Sequence, residues 1–266
     1  MIDHRWQLWL LGWGASAALL AVLYLWQRRT RDATAVDAGW GASLVLCAIL
    51  YATLAPGTLV QRLAIALPVG LENLRIASLV RNRLGKGEDS RYQELRRRWR
   101  EKGREQLTFA IFYQAQALLA AILSIPALLA SFNRNSALAP VQWIGISLWV
   151  VAAGLEATAD RQLAAFRRDP ANRGAVMDRG LWRYTRHPNY FFQTLTWVAY
   201  ALIALPAPFG WLAFLAPALI LYLVLFVTGV PPAEESSLRS RGEAYRRYQA
   251  RTSAFVPWPP KPSSTA

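Results

Sequence analysis

The chain has one cysteine, Cys47, and two histidines among 266 residues. A lone thiol forms no intrachain disulfide and no multi-thiolate metal site, and within an apolar run it reads as a small packing residue. Acids are also scarce, 16 against 30 basic residues. Glu156 and Asp160 stand one helical turn apart, but no His-x-x-x-His pair or third carboxylate joins them, so no metal site is expected. No G-x-G-x-x-G run occurs either, which excludes a dinucleotide held in the soluble Rossmann manner.

Apolar length is what the chain has in abundance, with 54% hydrophobic residues. Its runs suit an all-α polytopic membrane protein of about seven transmembrane helices, forming one integrated domain. The spans are read at 6–26, 39–54, 58–80, 107–131, 139–159, 190–205 and 211–230. Residues 1–105 hold the first three and a basic loop; residues 106–266 hold the other four, their loops and a tail. The first run is too long for the core of a signal peptide and is followed by more spans, so it is read as a retained helix.

The net charge of +14 lies between these runs. Its expected neighbour is therefore the anionic face of a lipid bilayer, not nucleic acid. With the N-terminus outside, the inner segments 28–38, 81–105, 161–188 and 231–266 carry three, ten, seven and six basic residues, 26 of the chain's 30. The outer loops carry only Arg134. That asymmetry follows the positive-inside rule and places the C-terminus in the cytosol.

The densest chemistry is DRGLWRYTRHPNYFFQ, residues 178–193, just before the sixth run. Arg179, Arg183 and Arg186 are permanent cations suited to phosphate or carboxylate. Gly180 would let the backbone approach a ligand closely. Pro188 turns His187 away from helical geometry and opens a helix, so donors gather at a helix N-terminus, where anions are favoured. Flanking arginines obeying the positive-inside rule would explain the charge, but not Trp182, Tyr184, His187, Asn189 and Tyr190 as a set.

GLWRYTRHPNYF resembles the cofactor signature of the steroid 5α-reductase-like membrane reductases, particularly their bacterial relatives. Sterol ring reductases carry a similar run, and isoprenylcysteine carboxyl methyltransferases share RHPxY more loosely. LVRNRLGKGEDSRYQELR and the ending RTSAFVPWPP resemble the bacterial reductases as well. The resemblance implies an integral protein of a bacterial inner membrane with a cytosol-facing NADPH pocket. It implies reduction of the carbon–carbon double bond of a conjugated enone in an apolar substrate, such as a 3-oxo-4-ene steroid, entering from the bilayer. An S-adenosylmethionine-dependent methyltransferase is the alternative.

By the same resemblance the cofactor contacts are Arg81, Asn82, Arg83, Asp160, Arg167, Arg179, Trp182, Tyr184, Arg186, His187, Asn189, Tyr190 and Glu235. Arg91 and Tyr92 would brace their loop, and an acidic, Tyr-bearing C-terminal helix with Glu234, Glu235, Tyr245 and Tyr248 would close the site. Glu156 stands where the reductases have Asn, and Gln193 where they often have Glu. For the proton the candidate is Glu72, with Tyr51 or Tyr113 as partner. The competing reading of Glu72 is an ion pair with Arg75, three residues on along the same helix.

Overall fold

The computed structural model describes residues 1–81 and 87–262. Its described residues form helices and connecting turns, with no strand beyond one isolated bridge between Thr185 and Ser253. In order they are α1 (Arg5–Thr30), α2 (Ala35–Leu54), α3 (Leu59–Arg81), α4 (Ser90–Glu101), α5 (Glu105–Leu123), α6 (Ile125–Ser131), α7 (Pro140–Arg168), α8 (Pro188–Ala204), α9 (Leu215–Tyr222) and α10 (Val230–Arg251). Among the described residues, five helical stretches are long and apolar enough to cross a membrane: Arg5–Thr30, Ala35–Leu54, Glu105–Ser131, Pro140–Arg168 and Gly210–Arg251.

The chain forms two compact units, both discontinuous. One comprises Met1–Trp143 and Tyr200–Ala216, the other Ile144–Ala199 and Pro217–Ala266. In the first unit, α1 buries Leu8, Gly12, Ser16 and Leu20, spaced every four residues along one stripe, and packs on α2 and α5. Its other faces expose Trp6, Leu10, Leu11, Trp13, Val22 and Leu25. One narrow buried stripe on an otherwise apolar helix is the pattern expected of a helix facing lipid, where only the protein-facing side needs close packing.

Prolines set two boundaries differently from the apolar pattern. The run at 107–131 is broken at Ser124, because Pro126 opens α6 and cannot continue the ladder of α5. The Ser124 hydroxyl at this break meets that of Tyr51 at 2.9 Å. The pattern also predicts that the last span stops at Pro231 and Pro232. Instead the chain passes a π turn at Leu223–Val227 and turns at Gly229, and both prolines then sit in the first turn of α10. Their missing N–H groups are harmless there, since the first turn of a helix has no internal acceptors for them.

Candidate functional site

The segment 178–193 lies wholly in the second unit, which organises it from two directions. From α7 comes Gln162, whose Oε1 accepts the Leu181 N–H at 3.0 Å. Gly180 has φ +58°, and a Cβ there would lie within 2.7 Å of the Gln162 side chain. The close approach that the structure shows at Gly180 is to α7. Trp182 is buried, and its indole N–H donates to the Ala159 carbonyl at 3.0 Å. Its own carbonyl accepts the hydroxyl of Tyr248.

From the other direction comes α10, which is not one straight helix. Tyr245 donates to Glu234 Oε1 at 3.0 Å, and the Gln249 amide also donates to Glu234. Residues 11 and 15 apart on a straight helix would be separated by about 16 and 22 Å. The reversal occurs at Gly242, with φ +51° and ψ −122°, a conformation that only glycine adopts without strain. α10 is thus a helical hairpin closed on one carboxylate.

Arg186 and His187 fix that hairpin to the start of α8. The Arg186 guanidinium reaches Glu234 through Nε at 2.8 Å and Nη2 at 3.2 Å, while Nη1 donates to the carbonyls of Gln249 at 3.2 Å and Thr252 at 2.5 Å. His187 Nε2 lies 2.9 Å from Glu234 Oε1, and its ring stacks on Tyr190 at 5.4 Å. Burial alone would raise the Glu234 carboxyl. The hydrogen bonds from His187, Arg186 and Gln249 outweigh it and hold the group well below the usual carboxylate range. Burial, then the Glu234 charge, pushes the Tyr245 phenol up to about 12.

The expected cofactor residues therefore fall into two sets. Trp182, Arg186 and His187 are engaged in contacts within the protein. Arg167 and Arg179 are exposed at the end of α7 and in the following loop, with the Arg179 guanidinium 5.8 Å from the Phe166 ring. Tyr184 is exposed. Asn189 Nδ2 donates to Asp160 Oδ1 at a long 3.3 Å, and its Oδ1 accepts the Tyr190 N–H at 3.1 Å. Glu156 is buried one turn before Asp160, and no group of three His, Cys, Asp or Glu able to hold a metal occurs among the described residues.

Glu235 points to solvent, 3.7 Å from Arg239. The carboxylate gathered into the site is Glu234. Neighbouring residues on a helix point about 100° apart, so only one of the two faces the hairpin interior. Nothing local in PPAEESS says which.

In the first unit, Glu72 Oε1 accepts from Arg75 at 2.7 and 3.2 Å, the pairing that its spacing allows. Asn73, beside it, packs against Gly41, which lies ten residues, about 15 Å of helix, from Tyr51. Glu72 and Tyr51 are not brought together. Tyr113 is fully buried against Tyr24, Phe109 and Phe112, and its hydroxyl has no hydrogen-bond partner among the described residues. The side chains of Arg81, Asn82 and Arg83 lie outside the described residues. Arg91 and Tyr92 do brace their segment, meeting Asp37 at 2.8 and 2.5 Å. Next to them Arg96, which nothing in the sequence singles out, sits buried between Glu88 at 2.7 Å and Glu105 at 2.6 Å, over the Phe109 ring at 4.6 Å.

The model of one family, a protein of unknown function (DUF1295), matches residues 23–252, which include both of these networks. The chain belongs to the DUF1295 family. That family is associated with steroid 5α-reductase-like membrane proteins, in keeping with several long apolar helices and an integral membrane location. Comparison with curated proteins and with solved structures gives no match.

Proposed function

We propose that this DUF1295 member is a seven-span inner-membrane reductase, N-terminus outside and C-terminus cytosolic, that uses NADPH to reduce the double bond of a conjugated enone. The substrate is an apolar molecule such as a 3-oxo-4-ene steroid. Alongside the five apolar stretches, α3 and α8 are proposed as the further spans. α8 has no charged residue among its 17, about 25 Å of helix, and α3 has 23 residues.

The observation that carries the reading is the division of labour around the RHPNY segment. Arg186 and His187 are engaged by Glu234, while Arg167 and Arg179 of the same unit are exposed. The donor set fits a phosphorylated dinucleotide: exposed guanidinium forks for the phosphates, including a 2′-phosphate, and an amide and a phenol for the sugar and ring. When bound, NADPH would supply the hydride. What the chain must add is position and a donor to the carbonyl oxygen, which gains negative charge as the double bond is reduced.

For that donor we propose Tyr113. The Glu72 carboxylate is engaged by Arg75, as a structural ion pair would be, whereas the buried Tyr113 phenol, with no partner among the described residues, has its hydrogen bond to give. The test is loss of enone absorbance in step with NADPH oxidation, using the full chain in lipid nanodiscs. Tyr113→Phe should cut the rate by at least ten-fold, about 1.4 kcal/mol of barrier, and leave NADPH binding unchanged. Transfer of a methyl group from S-adenosylmethionine, with no enone turnover, would replace this reading with the methyltransferase one.

A further inference from the structure

The tail 252–262 follows the hairpin, and all but its first residue lies beyond the family match. Its backbone is fixed along the RHP segment. Arg186 N–H donates to the Ser253 carbonyl at 2.9 Å, the Thr185 hydroxyl to the Phe255 carbonyl at 2.9 Å, and Trp258 N–H to the Tyr184 carbonyl at 2.9 Å. Lys261 N–H donates to the Arg251 carbonyl at 2.9 Å. Phe255 tucks its ring against Phe191, one turn into α8, at 5.6 Å.

The tail is thus held in place without burying its largest side chain. Trp258 remains 69% exposed, Val256 57% and Tyr184 45%. Around them stand exposed Arg183, Arg251 and Lys261, and residues 244–262 contain no acid. Tyr184, the anchor point, lies four residues before an uncharged apolar helix. Aromatic rings with basic neighbours, set where an apolar helix begins, match the chemistry of the bilayer interface, where indole rings settle and anionic headgroups attract cations.

We infer that Val256, Trp258 and Tyr184, ringed by Arg183, Arg251 and Lys261, dock onto the headgroup zone of an anionic lipid bilayer. This inference rests on the membrane location and not on the reductase reading. The occupant is lipid, not a protein partner, because the patch lies at the start of α8 and combines apolar rings with one sign of charge.

The test uses the full chain with Cys47→Ala and Trp258→Cys, labelled with an environment-sensitive fluorophore, in nanodiscs of phosphatidylcholine alone or mixed with phosphatidylglycerol. A label at Ser240→Cys, on the exposed side of α10, serves as reference. With anionic lipid, the label at 258 should shift to the blue and resist iodide quenching, and raised salt should reverse both effects. Arg251→Gln with Lys261→Gln should reduce the preference for anionic lipid by about five-fold per charge removed. Equal iodide access at 258 and 240 in both lipids would overturn the inference. So would protection that follows the number of chains per disc instead of lipid charge, which would assign the patch to a second copy.

Discussion

The two buried charge networks are mirror images in composition. In the first unit a cation lies at the centre: Arg96 is held by Glu88 and Glu105 and joined by the Gln27 amide at 3.1 Å. In the second an anion does: Glu234 takes Arg186, His187, Tyr245 and Gln249. The first sets two acids, Glu88 and Glu105, around one buried arginine, with the exposed Arg31 and Arg100 also on Glu105, and its groups join α1, α4 and α5. The second gathers one acid among Arg186, His187, Tyr245 and Gln249, in a unit where Arg167 and Arg179 are exposed. Both networks close a structure; under the proposed function the second unit also supplies cations to an anionic ligand.

The comparison breaks most directly at its anionic centre. Glu234→Ala strands Arg186 and His187 in a protein interior, and removal of one partner from a buried pair typically costs about 3 kcal/mol or more. Thermal unfolding in mild detergent should show a larger loss than for Gly242→Ala, Asn189→Ala or Glu235→Gln. The folded-state pKa of Glu234 is depressed, so its stabilisation is full above the unfolded value of about 4.3 and is lost as pH falls below it. Wild-type protein should therefore destabilise in acid more steeply than the Glu234→Ala variant. Equal acid limbs would show that the clasp is not electrostatic.

Gly242→Ala sharpens the same point through the backbone. A side chain at φ +51° and ψ −122° is strained, at a cost of about 1–3 kcal/mol, and the hairpin should loosen while the first unit's Arg96 network stays intact. Hydrogen exchange localised to residues 230–251 would report it. Asn189→Ala removes one long hydrogen bond to Asp160 and should leave the fold standing. It should weaken NADPH binding by about five-fold, the worth of one hydrogen bond of about 1 kcal/mol. The smallest effect belongs to Glu235→Gln, whose carboxylate faces solvent: no measurable change in melting temperature or NADPH affinity is expected.

The contrast between Glu234 and Glu235 also marks the limit of what the chain reveals before it is folded. Apolar runs and Pro188 were legible, because span length and proline geometry are local properties. The brace of Arg91 and Tyr92 was legible through resemblance. The hairpin was not: Gly242 sits in a polar helical pattern with nothing beside it to mark a reversal, and the partners of Glu234 come from residues 47 to 48 positions earlier and 11 to 15 later. Arg96 was lost for a similar reason, since in RRRWRE it looks like its exposed neighbours, and only folding against Phe109 singles it out. Which arginines are buried in ion pairs and which stay exposed depends on where the acids end up, which is a property of the packed chain.

Under the proposed function the exposed Arg167 and Arg179 receive a 2′-phosphorylated dinucleotide. The most direct test is the thermal stability of the purified full chain in mild detergent with NADPH, NADH or S-adenosylmethionine added separately. NADPH at about a hundred times its Kd should stabilise the protein by about 2.7 kcal/mol, with NADH clearly weaker and the NADPH effect shrinking as salt is raised. Stabilisation by S-adenosylmethionine alone, or equal stabilisation by NADPH and NADH, would contradict it.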